Sequence, residues 1–429
     1  MGVPITYNIR NLVERKTTTL MTAIGIALTV AVLVTAVALT TGLASVFAQS
    51  GDPRNFLVLR KGVDAELTSS VSSETYQIVR QLPGIARTPE GEPMVSPEGL
   101  TVVNLPSVEA PEGMNVTVRG MLPIGLTMRT YTVQEGEMFK PGLRQIVVGE
   151  AIARRYPDAK IGKQVRFGRG LWEVVGVFRA GDSAANSEIW VDLNQLRGDF
   201  EQRGGSSSLL VRLDLPLEAA AQQAAAIEKV AAAQTAHDAA IKEGKKESEL
   251  EPVPAYPQGV LADLTRTIEG DQRLGSNVMG EKAYYASMTQ SGLPLQILGF
   301  GVAVIMAIGS AFAATNTMYA AVARRTREIA TLRALGFGRG AILTSFMVES
   351  VCLALLGGLI GVLIALPING LTTGVGSFAT FSETAFKFKI SPMAIVFGLV
   401  FAATIGAVGG LLPAWSAAKR NIVTAMRDI

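Results

Sequence analysis

The chain has 429 residues, 48% of them hydrophobic and only 17% charged, a balance that suits a membrane protein with a substantial soluble part. The formal charge of +3 is unevenly spread: residues 49–290 carry 26 Lys and Arg against 31 Asp and Glu, whereas the N-terminal segment, the region around residue 330 and the C-terminal tail hold eleven basic residues against Glu14, Glu328 and Asp428. That pattern gives no basic domain for nucleic acid, and with Cys352 as the single cysteine no intrachain disulfide supports the soluble part.

Residues 1–18 read as an interfacial helix. Ile5, Ile9, Leu12 and Val13 share one helical face, with Arg10, Glu14, Arg15 and Lys16 elsewhere. Residues 19–48 form a first span, apolar from Leu20 to Phe47 and longer than the ~20 residues a spanning helix needs. Val46 and Ala48 resemble a signal-peptide cleavage site, but this apolar stretch far exceeds a signal peptide's core of about 7–15 residues, so it reads as a retained anchor.

Residues 49–291 read as an extracytoplasmic α+β domain. β-rich runs (NFLVLR from Asn55, VTVRGM from Val116, WEVVGVFRA from Trp172, SSLLVRL from Ser207) alternate with helical ones (SETYQIVRQL from Ser73, VVGEAIARRY from Val147), and Pro and Gly punctuate the joins. Within it, residues 217–257 look like an Ala-rich and charged insertion: Leu217 to Ile241 as a helix, then a solvated, mobile linker. It holds the only histidine, His237, whose neighbours include no second His or Cys to make a metal site.

Three more spans follow, at residues 292–320, 344–368 and 392–416, separated by a polar segment at 321–343 and an outer loop at 369–391 that carries Glu383, Lys387 and Lys389. Residues 417–429 form a tail. The architecture expected is a four-helix membrane protein with an α+β domain inserted between helices 1 and 2, both termini on the cytoplasmic side by the positive-inside rule.

The polar segment is the most informative stretch. In RRTREIATLRALGFGRGAI from Arg324 to Ile342, an apolar stripe of Ile329, Leu332 and Leu335 runs along a short helix, with Arg324, Arg325, Arg327, Glu328 and Arg333 around it; Gly336, Gly338 and Gly340 stop the helix. These residues alone leave two readings open: arginines that only fix topology, or a surface helix that rests on lipid or receives a partner. Glu349 is the one ionisable residue clearly inside a span; pairing with Arg324, Arg325 or another basic residue at that end is favoured over proton coupling, because no second acidic residue or His continues the path. Gly357, Gly358 and Gly361 provide a close-packing surface for another span of this chain or of a second copy. Asn316 and Thr315 offer hydrogen bonds between helices.

The run from Ala323 to Ile342 resembles the loop between the second and third spans of the MacB/FtsX-like ABC transporter permeases. The resemblance continues through TNTMYAAVA from Thr315, SFMVESVCLALLGGLIGVLIA from Ser345 and GGLLPAWSAAKRNIVTAMR from Gly409, and more loosely through PGLRQIVVGEAIARRY, LWEVVGVFRAGDSAANSEIWVDL and GEKAYYASMTQSG in the inserted domain. It implies a permease subunit of the inner membrane whose coupling helix, Arg324 to Gly336, docks on a cytosolic ABC ATPase. It further implies a dimer with a second copy or paralogue, a periplasmic adaptor with an outer-membrane channel, and nucleotide-driven movement of the outer domain.

The P-loop needs GxxxxGK followed by Ser or Thr, and both Gly162-Lys163-Gln164 and Gly244-Lys245-Lys246 fail that test. No catalytic set of Ser, His and Asp is available either. The expectation is therefore a chain that is not an enzyme and binds no cofactor, with ATP and Mg on the partner ATPase. The competing expectation is a membrane-anchored sensor, or a regulator of an extracytoplasmic partner such as a cell-wall hydrolase.

Overall fold

The computed structural model describes residues 16–107, 110–200, 205–245, 251–289, 293–376 and 381–419. The interfacial helix expected over residues 1–18 and the tail over 417–429 lie almost wholly outside them. The chain folds as two units, each with its own core: Met1–Leu43 with Gly292–Thr372 and Lys387–Ile429, and Ala44–Ser291 with Thr373–Phe386.

The first unit holds four helices long and apolar enough to cross a membrane: Leu20–Gln49, Gln296–Arg324, Arg339–Ile368 and Pro392–Lys419. Small residues decide how they meet. A Cβ added to Gly357 of the third span would fall 2.7 Å from the Ala23 carbonyl of the first, and one on Gly361 would press on the Ala27 carbonyl and Val30. One on Gly358 would reach Ala402 of the fourth span at 2.7 Å. Gly357 and Gly361 thus let the first span in, Gly358 lets in the fourth, and all three packing glycines serve spans of the same chain. Hydroxyls stitch the bundle where lipid offers no alternative partner: Thr29 with Ser310 at 2.6 Å, Thr22 to Thr317 at 3.0 Å, Thr315 to the Gly409 carbonyl at 2.8 Å and Ser350 to the Gly406 carbonyl at 2.7 Å. Asn316 is exposed on the second span, on the same face as Phe312 and Tyr319.

The strands, in chain order, are β1 (Asn55–Arg60), β2 (Val71–Ser72), β3 (Val95–Leu105), β4 (Met114–Met121), β5 (Thr132–Gly136), β6 (Gln145–Gly149), β7 (Gln164–Phe167), β8 (Gly170–Arg179), β9 (Glu188–Asp192), β10 (Gly205–Ser206), β11 (Ser208–Arg212), β12 (Ser276–Gly280), β13 (Thr372–Gly376) and β14 (Glu383–Lys387). Ten of them make one sheet in the order β12-β1-β11-β3-β4-β9-β6-β8-β5, with β7 beside β8. The pairs β4–β9 and β6–β8 are parallel, so the sheet is mixed. The two-residue period sorts side chains to its faces. Ile146, Val148, Ile189 and Val191 enter one core with Trp172 and Val174, while Val147 and Trp190 enter another with Phe178 and Phe139. A third core packs Phe56, Val58, Leu209 and Val211 under the helix Val260–Gly270.

Two readings from sequence change here, and a third is sharpened. The run from Val147 is strand as far as Gly149, because its side chains are buried on both faces of the sheet, and the helix begins only at Glu150. The helix expected from Leu217 is present as Leu217–Lys242, and its first turns are docked rather than solvated, with Ala220 fully buried and Ala224 and Ile227 packed against the third core. The linker that follows falls partly outside the described residues. The stretch read as an outer loop, residues 369–391, contains the hairpin β13–β14, whose residues Thr373–Phe386 belong to the sheet unit. Glu383 is accordingly a buried partner of Arg155 and Tyr156 rather than a loop charge, because the hairpin packs into that unit's interior.

Candidate functional site

The helix of the second span runs to Arg324 and breaks at Arg325 (φ −101°, ψ 18°); a second, short helix then spans Thr326–Ala334. Its end is set by Gly336 at φ 93°, a left-handed conformation that glycine adopts without penalty. The Gly336 N–H bonds the Arg333 carbonyl at 3.2 Å and the Phe337 N–H bonds the Leu332 carbonyl at 3.1 Å, the Schellman pattern that closes a helix and turns the chain. Gly338 then caps the helix of the third span.

The helix has a fixed face and an exposed one. On the fixed face Arg325 is only 2% exposed, and its Nη1 donates to Glu349 Oε2 at 2.7 Å, with the guanidinium 5.9 Å from the centroid of the Phe346 ring. Ile329, 3% exposed, packs with Met318, Val322, Ile342, Phe346, Ala414 and Ala417. Arg333 donates to the Ala418 carbonyl at 3.1 Å, a cation placed on the C-terminal end of the fourth span's helix. The short helix is therefore tied to the second, third and fourth spans by side chains of three successive turns.

On the exposed face stand Arg324, Arg327, Glu328, Thr331 and Leu335, the last 72% exposed. Leu332 lies half-buried between the faces, and Gly336 is exposed at the end. The apolar stripe expected from sequence is thus divided. Ile329 and Arg325, assigned there to a partner surface, are turned inward, because a period of 3.6 residues carries Ile329 and Leu335 to different sides. Arg325 and Glu349 are brought together; Asn316 takes no part in this cluster.

The sheet unit buries a denser set of charges. Arg119 bonds Glu66 (3.0 Å), Glu98 (2.8 Å) and Glu188 (2.9 Å), and Arg129 holds Glu98 from its other side at 2.5 Å. Burial pushes the Glu188 carboxyl up, but the Arg119 guanidinium and its hydrogen bonds outweigh this and hold it below the usual carboxylate range. No sequence pattern announces this network, whose five members come from five separate segments of the chain. A cleft of about 550 Å³ lies beside it, lined among others by Arg54, Arg129, Asp182, Trp190, Glu281 and Tyr285. Among the described residues no group of three or more His, Cys, Asp and Glu is gathered as a metal site.

Comparison with known proteins separates the same two parts. The MacB-like periplasmic core domain matches residues 19–233, and the FtsX-like permease C-terminal domain matches residues 300–422. An uncharacterized ABC transporter permease of Bacillus subtilis, YknZ, is 26% identical over 328 residues, covering 74% of this chain and 71% of that protein. The macrolide export ATP-binding/permease protein MacB of Agrobacterium fabrum is 32% identical over 173 residues; the match takes in 40% of this chain and only 25% of that longer protein. Among solved structures, the extracellular domain of the YknZ transporter aligns over 52% of this chain and 99% of its own length at 16% identity, with a TM-score of 0.32. With a periplasmic core domain matched over half of its length and a permease domain over most of the remainder, the chain belongs to the MacB/FtsX-like family of ABC transporter permeases, multi-pass membrane proteins with an extracytoplasmic domain.

Proposed function

We propose that this permease couples ATP hydrolysis by a separate cytosolic ABC ATPase to movement of its extracytoplasmic domain. The observation that carries the reading is the two-faced helix Thr326–Ala334: Arg325, Ile329 and Arg333 fix one side into the spans, and Arg324, Arg327, Glu328 and Leu335 are exposed on the other. A helix built this way passes a push on its exposed face directly to three spans. The excess of arginine in this segment favours the cytoplasmic side of the inner membrane for it and for both termini. ATP and Mg belong to the partner ATPase. A second copy or paralogue completes the permease pair, and export with a periplasmic adaptor and outer-membrane channel is the form of transport that the likeness to MacB favours.

The test is affinity purification of the detergent-solubilised chain from its native host, comparing wild type with an Arg327→Glu, Leu335→Asp variant. Both changes lie on the exposed face and leave Arg325–Glu349 intact. An ABC ATPase is expected with wild type and at least about tenfold less with the variant, the equivalent of ~1.4 kcal/mol. Equal recovery in both, or no ATPase with wild type, overturns the reading.

A further inference from the structure

The chain between the third and fourth spans is built into the interior of the extracytoplasmic unit. Residues Glu383–Ala385 and Phe386 of β14 are buried. Glu383 accepts from Tyr156 Oη at 2.9 Å and pairs with Arg155 Nη2 at 2.6 Å, with both charged side chains less than a tenth exposed. Thr117 of β4 donates to Ser382 at 2.6 Å, Asn115 donates to the Phe381 carbonyl at 2.9 Å, and the Ala385 N–H bonds Ser187 Oγ at 2.8 Å. The hairpin is thereby attached to β4, to the residues just before β9, and to the end of the helix Glu150–Arg155. Gly374, on the facing strand, keeps the space open: a Cβ there would overlap the Glu383 carboxylate and the Arg155 guanidinium.

The joints at its base are short and bonded. The Gly370 N–H donates to the Phe388 carbonyl at 2.9 Å and the Phe388 N–H to the Leu371 carbonyl at 3.0 Å. Asn369 Oδ1 accepts from the Ile390 N–H at 2.9 Å. Helix ends at Ala365 and resumes at Pro392, so little slack separates either span from the hairpin. A buried carboxylate that loses its guanidinium is left uncompensated, which makes the Arg155–Glu383 contact the one on which docking of the hairpin depends most.

We infer that β13–β14 is a fixed strut through which the third and fourth spans act on the extracytoplasmic domain, and that Glu383 is its positioning residue, seated by Arg155 and Tyr156. The domain is then driven from three chain connections: the end of the first span, the start of the second, and this hairpin. The inference rests on the proposal that an ATPase moves the spans through the helix Thr326–Ala334.

The experiment uses the full chain with the ATPase that purifies with it, in lipid nanodiscs, and follows hydrogen exchange in Gln145–Tyr156 and Glu188–Asp192 with and without ATP and vanadate. Wild type is expected to change its exchange there on nucleotide trapping. Glu383→Ala is expected to lose that change while retaining the bound ATPase, its ATP hydrolysis, and normal protection of β1 and β11, which reports that the domain is folded. The paired exchange Arg155→Glu with Glu383→Arg is expected to restore the response, an outcome that packing volume alone does not produce. A Thr117→Cys, Ser382→Cys variant, oxidised to fix the hairpin in place, is expected to respond like wild type. A wild-type response in Glu383→Ala, no rescue by the charge exchange, or a response abolished by oxidation and regained on reduction each overturns the strut while leaving the ATPase reading standing. Wild type without any ATPase overturns both.

Discussion

The two units of this permease solve the problem of packing in opposite ways. In the extracytoplasmic unit the largest side chains are innermost: Trp172, Trp190, Tyr156, Tyr284, Phe56 and Phe178 are fully buried. In the spans many large side chains face outward, among them Ile297, Ile305, Phe312, Val400 and Trp415, while glycine, alanine, serine and threonine fill much of the interior. Water drives apolar bulk inward in the first unit. Lipid removes that drive in the second, so helices gain by bringing backbones close and by pairing hydroxyls, and the bulk goes where it costs nothing. Charge follows the same division. The sheet unit buries Arg119 and Arg129 among Glu66, Glu98 and Glu188, whereas the described spans bury Arg325 with Glu349 at one end, under the helix proposed to meet the ATPase.

The comparison breaks most severely at Arg119. Arg119→Met leaves Glu66 and Glu188 buried without their main cation and strips Glu98 of one of two, a loss of about 3–5 kcal/mol. The extracytoplasmic unit is expected to unfold at a much lower temperature by limited proteolysis. An unfolding temperature like that of wild type would mean that the network contributes little.

A smaller effect is expected from Gly361→Val. The added methyls press on the Ala27 carbonyl and Val30 of the first span, and overpacking of this kind costs ~1–3 kcal/mol. Val400→Ala, a deletion on the exposed side of the fourth span, is expected to stay within about 0.5 kcal/mol. Unfolding in mixed detergent micelles ranks the two. The contrast fails if the deletion destabilises more than the insertion.

Much of this fold was legible in the sequence, for a physical reason: spans announce themselves by unbroken apolar length, and strands by short runs rich in β-branched and aromatic residues between turn residues. Gly336 was legible as a helix stop because few residues but glycine take φ 93° at ease. Neither the division of Ile329 from Leu335 nor the position of Arg325 was legible, because a nine-residue helix rotates its stripe by where it docks, and docking depends on Phe346 and Ala417 far along the chain. The hairpin with Glu383 was hidden for the same reason. Its partners Thr117, Arg155 and Ser187 are more than 190 residues away, and a five-residue strand between two spans reads as a loop until they are seen. That Glu349 pairs with a basic residue of this segment was foreseeable, though not which one, since a lone carboxylate near arginines inside a membrane has few other ways to be tolerated.

A last effect, on the pH dependence of stability, concerns Glu281, at the N-terminus of the helix Glu281–Thr289 and beside the Arg119 network. Burial pushes its carboxyl above the ordinary glutamate range, against the opposing pull of Arg129, the Asp52 N–H (2.9 Å) and the Asn55 amide (2.9 Å). The folded unit therefore holds this proton to a higher pH than the unfolded chain does. Its contribution to stability is complete below the unfolded value and is lost as pH rises through the folded one, opposite in sign to Glu188, whose contribution is present at neutral pH and lost in acid. Glu281→Gln stays uncharged at every pH and removes the decline, so the difference between variant and wild type in urea unfolding should move in the variant's favour on going from mildly acidic to neutral pH. A difference that stays flat across that range would mean that water reaches Glu281 and keeps its charge as cheap in the folded unit as in the unfolded chain. The contrast between a dry, charge-bearing sheet unit and a span unit with few buried charges would then weaken at the point where the first span enters the domain.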